Sequence, residues 1–243
     1  MKIAIDTHTH SIASGHAYST VDELARGARR SGLKGFVLTD HGPGMTGGPH
    51  PYHFSNMRVI PERIRGVRFY RGAEANIMDC AGTIDISLGT ATRLDFILAG
   101  FHEICFEPQD QQTNTTALLA VLANPLVDAI AHPGNPAFPV DIDTVVRTAA
   151  QLGKALEIND SSFRVRTGSG DNCLQLARRC VHYGCPMVCG SDAHYWLDVG
   201  RFDTALELLR KAGAPVEMLI NSSMERFEAF VARRRAEPGR VAG

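Results

Sequence analysis

The sequence predicts an α/β fold in which repeated βα units wrap a parallel barrel of strands. Three observations predict it. Short β-rich runs alternate with longer segments of helical period, the pattern of a parallel sheet covered by helices. Capping and stop signals fall between these segments rather than inside them. Most histidines, with several carboxylates, follow directly on the apolar runs, where the strands of such a barrel converge.

The expected strands are KIAID (2–6), GFVLTD (35–40), VRFYRGAE (67–74), DFILAG (95–100), VDAIAH (127–132), KALEIN (154–159) and PMVCGSD (186–192). MLIN (218–221) is a short eighth candidate. Thr20 and Glu23 have the spacing of a capping box, and the helix they open is expected to stop near Gly32. Further helices are expected over 113–123, 141–152, 172–183 and 199–212. Ser222 and Glu225 form a second capping-box pattern, opening a terminal helix whose RRRAEPGR end (233–240) reads as solvated and frayed. The stretch 42–57, GPGMTGGPHPYHFSNM, reads either as an ordered loop over a site or as a mobile connection. No linker or shift of composition divides the 243 residues. A single domain is therefore expected, with the barrel over roughly 1–235 and a tail at 236–243.

The bulk numbers exclude some functions. With 25 Lys+Arg against 26 Asp+Glu the chain is nearly neutral, which argues against a broad nucleic-acid footprint but not against a local anion pocket. No apolar run approaches the roughly 18 residues needed to span a bilayer, and Lys2 and Asp6 interrupt any secretory h-region. A cytoplasmic protein is expected. The six cysteines include no C-x-x-C pair and read as reduced core thiols.

The informative residues follow the strands. The first run leads into His8 and His10, with His16 beyond. The second leads into Asp40 and His41, and the third ends in Glu74. His102, His132, Asp192 and His194 follow later runs. These nine side chains, seven of them imidazoles, would meet at one mouth of a barrel. A catalytic zinc takes about three protein ligands and keeps a position open for water, so nine donors suit two or three ions. The i, i+2 spacing of His8 and His10 points both side chains the same way. Each residue alone has a plain structural reading: Glu74 with an arginine, His102 or His132 as a hydrogen-bonded core histidine. Together they would leave many polar groups buried without partners, at about 1–3 kcal/mol each, unless metal ions satisfy them.

The H-x-H opening, His16, the TDH at 39–41, Glu74, the isolated His102 and His132 and the closing D-x-H resemble the PHP (polymerase and histidinol phosphatase) domain over essentially the whole chain. HAYST (16–20), TDHGP (39–43), AGFHE (99–103), HPGNP (132–136), LEIN (156–159) and GSGDNC (168–173) look closer still to its YcdX-type branch of small phosphatases. The resemblance implies a distorted seven-stranded (β/α) barrel, TIM-like, with a trinuclear centre usually built on zinc. It implies a first metal on His8, His10, Glu74 and Asp192, a second on His16, His41 and His194, and a third on His102 and His132 with Glu74 as the bridge. Imidazole with carboxylate suits zinc, and manganese or iron remain alternatives.

Three divalent ions against two carboxylates leave a field of about four positive charges, a natural match for a phosphate monoester dianion. The expected function is therefore metal-dependent hydrolysis of small phosphate monoesters by a metal-activated water, with Glu74, Asp192 and His194 as the residues that carry it. Asp6 and Asp40, beside ligand histidines, are candidates to orient them, and Asp40 reads equally well as a cap or loop acceptor. Arg58, Arg71, Arg164 and Arg166 are candidates to grip phosphate, and Asn159 and Ser161 to touch substrate. His50 and His53 read as lid or surface residues and His182 as structural. The alternatives are a phosphodiesterase or exonuclease, a histidinol-phosphate phosphatase, a binuclear amidohydrolase, and a non-catalytic metal-bearing interaction module. The amidohydrolase pattern wants a bridging lysine at a mid-barrel strand end, whereas Lys154 enters its strand.

Overall fold

The computed structural model describes residues 1–235; the tail at 236–243 lies outside them. Seven parallel strands run in the order β1 (Ile5–Thr9), β2 (Gly35–Leu38), β4 (Val67–Asn76), β5 (Phe96–Gly100), β6 (Ala129–Ile130), β7 (Ala155–Asn159) and β8 (Met187–Gly190). They form a nearly closed barrel. A two-residue strand that the hydropathy pattern does not announce, β3 (Arg63–Ile64), pairs antiparallel with β4.

Helices fill the connections: α1 (Val21–Arg30), α2 (Tyr52–Asn56), α3 (Leu88–Ala91), α4 (Gln111–Ala123), α5 (Ile142–Gln151), α6 (Ser162–Val165), α7 (Ser169–Tyr183), α8 (Asp203–Lys211) and α9 (Met224–Arg235). The Thr20 capping box on α1 is formed on both sides. The second one is displaced by a residue. Ser223, not Ser222, accepts from the backbone of Arg226 at 3.2 Å, while the Ser222 hydroxyl donates back to Leu219 O at 2.7 Å. α7 begins at Ser169, ahead of the expected 172. α8 begins only at Asp203, because Gly200, at φ 81, breaks the chain after a 3-10 turn at Trp196–Asp198. The MLIN segment is not a strand. It lies in 3-10 turns with one bridge, Leu219 to Met187.

Two layers of core flank the sheet. The outer layer packs α1, α4, α5, α7 and α8 against one face of the strands. The inner layer is small: Ile5, Val37, Tyr70, Phe96, Leu98, Ala129, Ala155 and Val188, closed from below by Phe227, Phe230 and Val231 of α9. Phe227 is fully buried, 5.0 Å from the Tyr70 ring and 5.4 Å from Phe96. Because side chains alternate along a strand, the inward positions can be followed upward. Val37 leads to His41, Tyr70 to Glu74, Ala155 to Glu157 and Asn159, and Val188 to Gly190 and Asp192. An apolar floor thus rises into a polar mouth.

β1 needs an irregularity to join this scheme. Ile5 faces the floor, and His8, an odd number of residues later, faces the mouth. The register with β2 slips between Asp6 and Thr9, and that bulge supplies the extra residue that turns His8 and His10 inward. The ladder therefore covers 5–9 rather than the expected 2–6, and Ala4 N bonds Asn221 O instead of a neighbouring strand. β6 and β8 are shorter than expected because His132 and Asp192, at φ 33 and φ 54, leave the ladder. β4 is longer, since Ala75 and Asn76 still pair with Ala99 and Gly100.

The last gap, between β1 and β8, is closed at the mouth and again below it. At the mouth His10 N donates to Ala193 O at 2.9 Å. Below, the fully buried Asn221 donates to Ile5 O and Cys189 O, both at 2.8 Å, and accepts from Cys189 N at 3.2 Å. A side-chain amide there replaces the missing strand pairing.

Of the six cysteines, Cys173, Cys180, Cys185 and Cys189 are buried as expected. Cys105 is half-buried and Cys80 is exposed on the loop after β4, so those two are not core thiols. Among the described residues no helix is long and apolar enough to cross a membrane.

Candidate metal centre

The nine expected donors meet at the carboxyl ends of the strands. Glu74 is the hub. Its Oε2 lies 3.1 Å from His8 Nε2, 3.4 Å from His10 Nε2 and 2.9 Å from His41 Nδ1. Its Oε1 lies 2.8 Å from His132 Nε2 and 3.2 Å from His102 Nε2. Asp192 Oδ1 adds contacts of 3.3 Å to His10, 3.6 Å to His8 and 3.5 Å to His194. His16 joins through His194, Nε2 to Nε2 at 3.0 Å, and its ring stacks 5.0 Å from that of His41.

These donors fit metal ions. His8 Nε2, His10 Nε2, His41 Nδ1, Glu74 Oε2 and both His102 nitrogens are buried without a hydrogen-bond partner, although protein groups in the interior are normally satisfied. Bonds of about 2.1 Å to a tetrahedral ion would set its ligand atoms about 3.4 Å apart, which is the spacing seen here. Three triples of donor atoms close enough to share one ion occur: His8, His10 and Glu74; His10, His41 and His194; His41, Glu74 and His102.

Electrostatics keep Glu74, Asp192, His10 and His132 in the ligating form. Burial alone would raise Glu74, but the imidazoles of His8, His102 and His41 outweigh it and hold the carboxyl well below its ordinary range. Asp192 is likewise low, burial being overcome by His8, His10 and Arg166. Burial, with His194 and His41 nearby, keeps His10 neutral, and burial with the Arg166 charge takes His132 down to about 4. His8 is the exception: burial would lower it, but Glu157, Glu74 and Asp192 together hold it well above its ordinary value. Of the three non-glycine residues with positive φ among those described, two are His132 and Asp192, and backbone strain of this kind concentrates at functional sites.

None of the family models compared matches this chain. A protein of Acetivibrio thermocellus named a probable phosphatase is 52% identical over 235 residues, spanning 97% of this chain and 98% of that one. A probable phosphatase of Shewanella sediminis is 47% identical over 235 residues, 96% of each chain. The chain belongs to this probable-phosphatase family. Among solved structures, this family member is similar in fold to histidinol phosphate phosphatase of Lactococcus lactis, crystallised with zinc, L-histidinol and phosphate. The TM-score is 0.62 at 18% identity, covering 88% of this chain and 95% of that one. A probable 2-pyrone-4,6-dicarboxylic acid hydrolase of Acinetobacter baumannii gives 0.57 at 12% identity, over 96% of this chain and all of the other. At these identities the likeness is to the barrel alone.

In this chain the remaining candidates divide. Asp40 orients a donor indirectly: its Oδ1 accepts from Ser14 Oγ at 2.7 Å, and that hydroxyl lies 3.1 Å from His10 Nδ1. Asp6 touches no imidazole. It accepts from the backbone N–H groups of His8, Ser191 and Gly200 and so clamps the β1–β8 seam. Arg166 reaches the centre, donating Nη1 to Asp192 Oδ2 at 3.2 Å and to Ser162 Oγ at 3.1 Å. Arg71 does not, because its guanidinium forks Asp95 at the start of β5. Arg164 pairs with Asp160, and Arg58 is exposed along a surface cleft with Tyr52, Asn56 and Arg93. Asn159 is fully buried and its amide is committed to Glu157, Asp192 and Ser162, which leaves nothing to offer a substrate. Ser161 is buried between Asp160 and α6.

Three residues that sequence reasoning passed over belong to the site. Ser14 relays Asp40 to His10. His53, read from the sequence as a lid or surface residue, is drawn to Asp40 by a 2.9 Å contact through Nε2 and pins α2 beside the mouth. The loop at 42–57 is therefore held, with Asp85 accepting from Gly44 N at 2.7 Å at its base. The third is Glu157, 1% exposed, 2.8 Å from His8 Nδ1. The signal for it was a carboxylate placed two residues before Asn159 in an otherwise apolar strand.

Proposed function

We propose that this chain is a metal-dependent phosphatase of the PHP type, acting as a single domain on small phosphate monoesters at a trinuclear centre. The observation that carries the reading is the set of buried, unpartnered imidazole and carboxylate atoms converging on Glu74. His8, His10, Glu74 and Asp192 would hold one ion, His16, His41 and His194 a second, and His102 and His132 with Glu74 a third. The two oxygens of Glu74 support separate first and third positions, since Oε2 faces His8 and His10 and Oε1 faces His102 and His132, and His41 of the second position also lies 2.9 Å from Oε2. Zinc suits the donors, with manganese or iron as alternatives. When bound, such ions supply Lewis acidity, a water acidified towards neutrality, and positive charge for the phosphoryl oxygens.

The chain's own residues do the rest. Glu74 and Asp192 provide the anionic charge that holds the cluster together, and His10 and His132 remain neutral as ligands must. His194 and His16 lie at the open edge, where the substrate enters. Arg166, steadied by Asp192 and Ser162 through one nitrogen, has further donors for a phosphate oxygen. The amidohydrolase alternative loses its bridging lysine: Lys154 Nζ donates to Asn124 O and Val127 O at the entry of β7, the far end of the barrel from Glu74.

A panel of phosphomonoesters, phosphodiesters and amides, run on zinc-, manganese- and iron-loaded protein, tests the reading. Monoesters are expected to turn over fastest. Arg166→Ala is expected to raise KM for them about 10- to 100-fold, the worth of a charged hydrogen bond, with a smaller change in kcat. Preference for amides, or an unchanged KM in the variant, would contradict the assignment.

A further inference from the structure

Glu157 lies on β7 between Ala155, which faces the barrel floor, and Asn159, which faces the mouth. Both of its oxygens are spent on the protein. Oε1 is 2.8 Å from His8 Nδ1, and Oε2 accepts from His132 N at 2.8 Å and from Asn159 Nδ2 at 3.1 Å. The room for this carboxylate is made by a glycine: a Cβ on Gly190 would sit 2.1 Å from Glu157 Oε1 and 2.7 Å from His8 Cβ. Both oxygens are thus turned to protein donors.

Each bond fixes a donor. A proton on His8 Nδ1 shared with Glu157 leaves the lone pair on Nε2, the atom that faces Glu74 and Asp192. The bond from His132 N holds that residue in its positive-φ conformation, from which Nε2 reaches the other oxygen of Glu74. Asn159 extends the same network to Asp192 Oδ2 at 3.2 Å. One side chain thus touches a donor of the first proposed metal position and a donor of the third.

We propose that Glu157 is a positioning carboxylate that ties the first and third metal positions into one cooperative unit, leaving the position of His16, His41 and His194 outside its reach. The inference rests on the metal reading given above. It requires a carboxylate specifically. A glutamine has one acceptor oxygen where two are needed, so its NH2 must face either His132 N–H, a donor against a donor, or His8 Nδ1. In the second case it drives the ring proton onto Nε2, where it blocks ligation.

The test is zinc titration of wild-type and Glu157→Gln protein against a competing chelator, with zinc per chain counted by mass spectrometry. Wild type is expected to hold three ions. In the variant two of them weaken together, by about 10- to 100-fold, while the third keeps its affinity. Wild-type affinity at every position in Glu157→Gln overturns the inference alone; wild type that binds no zinc overturns the metal reading beneath it. A uniform loss at all three positions also overturns the inference. Should the variant fail to fold, nitrogen-15 NMR of the zinc-loaded wild type decides. His8 is expected to carry its proton on Nδ1, and a proton on Nε2 contradicts the proposal.

Discussion

Glu74→Ala is expected to abolish turnover, lowering kcat by about a thousandfold or more, of the order seen when one preorganised electrostatic group is removed from an active site. No other side chain here is placed to do its work. It is fully buried, and its two oxygens contact five imidazoles from four strand ends. Removing it would take away the only shared ligand of the proposed cluster and half of its carboxylate charge. Glu74→Gln keeps the volume and loses the charge, so it separates packing from electrostatics, and it is expected to be nearly as inactive. The barrel itself should survive in both variants, because the floor below Glu74 is held by Tyr70, Phe96 and Phe227. Steady-state rates together with circular dichroism check this. A folded Glu74→Ala protein within tenfold of wild type would contradict the account.

Metal removal is expected to have the second large effect, on stability as well as rate. The pocket concentrates unpartnered donors in the interior, and an ion that binds only the folded state stabilises it by about 4 kcal/mol at a thousand times its dissociation constant. For a chain of this size that corresponds to a melting temperature lower by about 10 °C after exhaustive chelation. Activity should vanish with it, and zinc should restore both. Thermal melts and rates measured on the same chelated and reloaded samples check it. Full turnover with an unchanged melting temperature after chelation would contradict it.

The ligand set was legible because its signal is local and repeated. Each of His8, His41, Glu74, His132 and Asp192 sits where an apolar run ends, and the barrel's topology does the gathering. The βα alternation was legible for the same reason. What was hidden depends on distant partners. Nothing near Arg71 in the chain reveals that Asp95 claims its guanidinium, nor that Asp6 spends its carboxylate on the backbone of Ser191 and Gly200. The bulge in β1 is invisible to a strict period of two, so the strand's start was placed too early. Glu157 sits inside the LEIN motif, but a buried carboxylate becomes meaningful only with His8 and His132 on either side of it. The hydropathy of MLIN suggests a strand at Asn221, whose role of closing a seam with a side chain has no hydropathy signature.

The claim beneath all of this is that nine side chains from separate strand ends cage metal ions at one mouth of the barrel. Diffraction from zinc-loaded crystals at the zinc absorption edge tests it most directly. The account predicts three anomalous peaks in the bowl around Glu74, each about 2.0–2.2 Å from its imidazole and carboxylate atoms. A bowl without such peaks, with zinc found only on the protein surface, would contradict it.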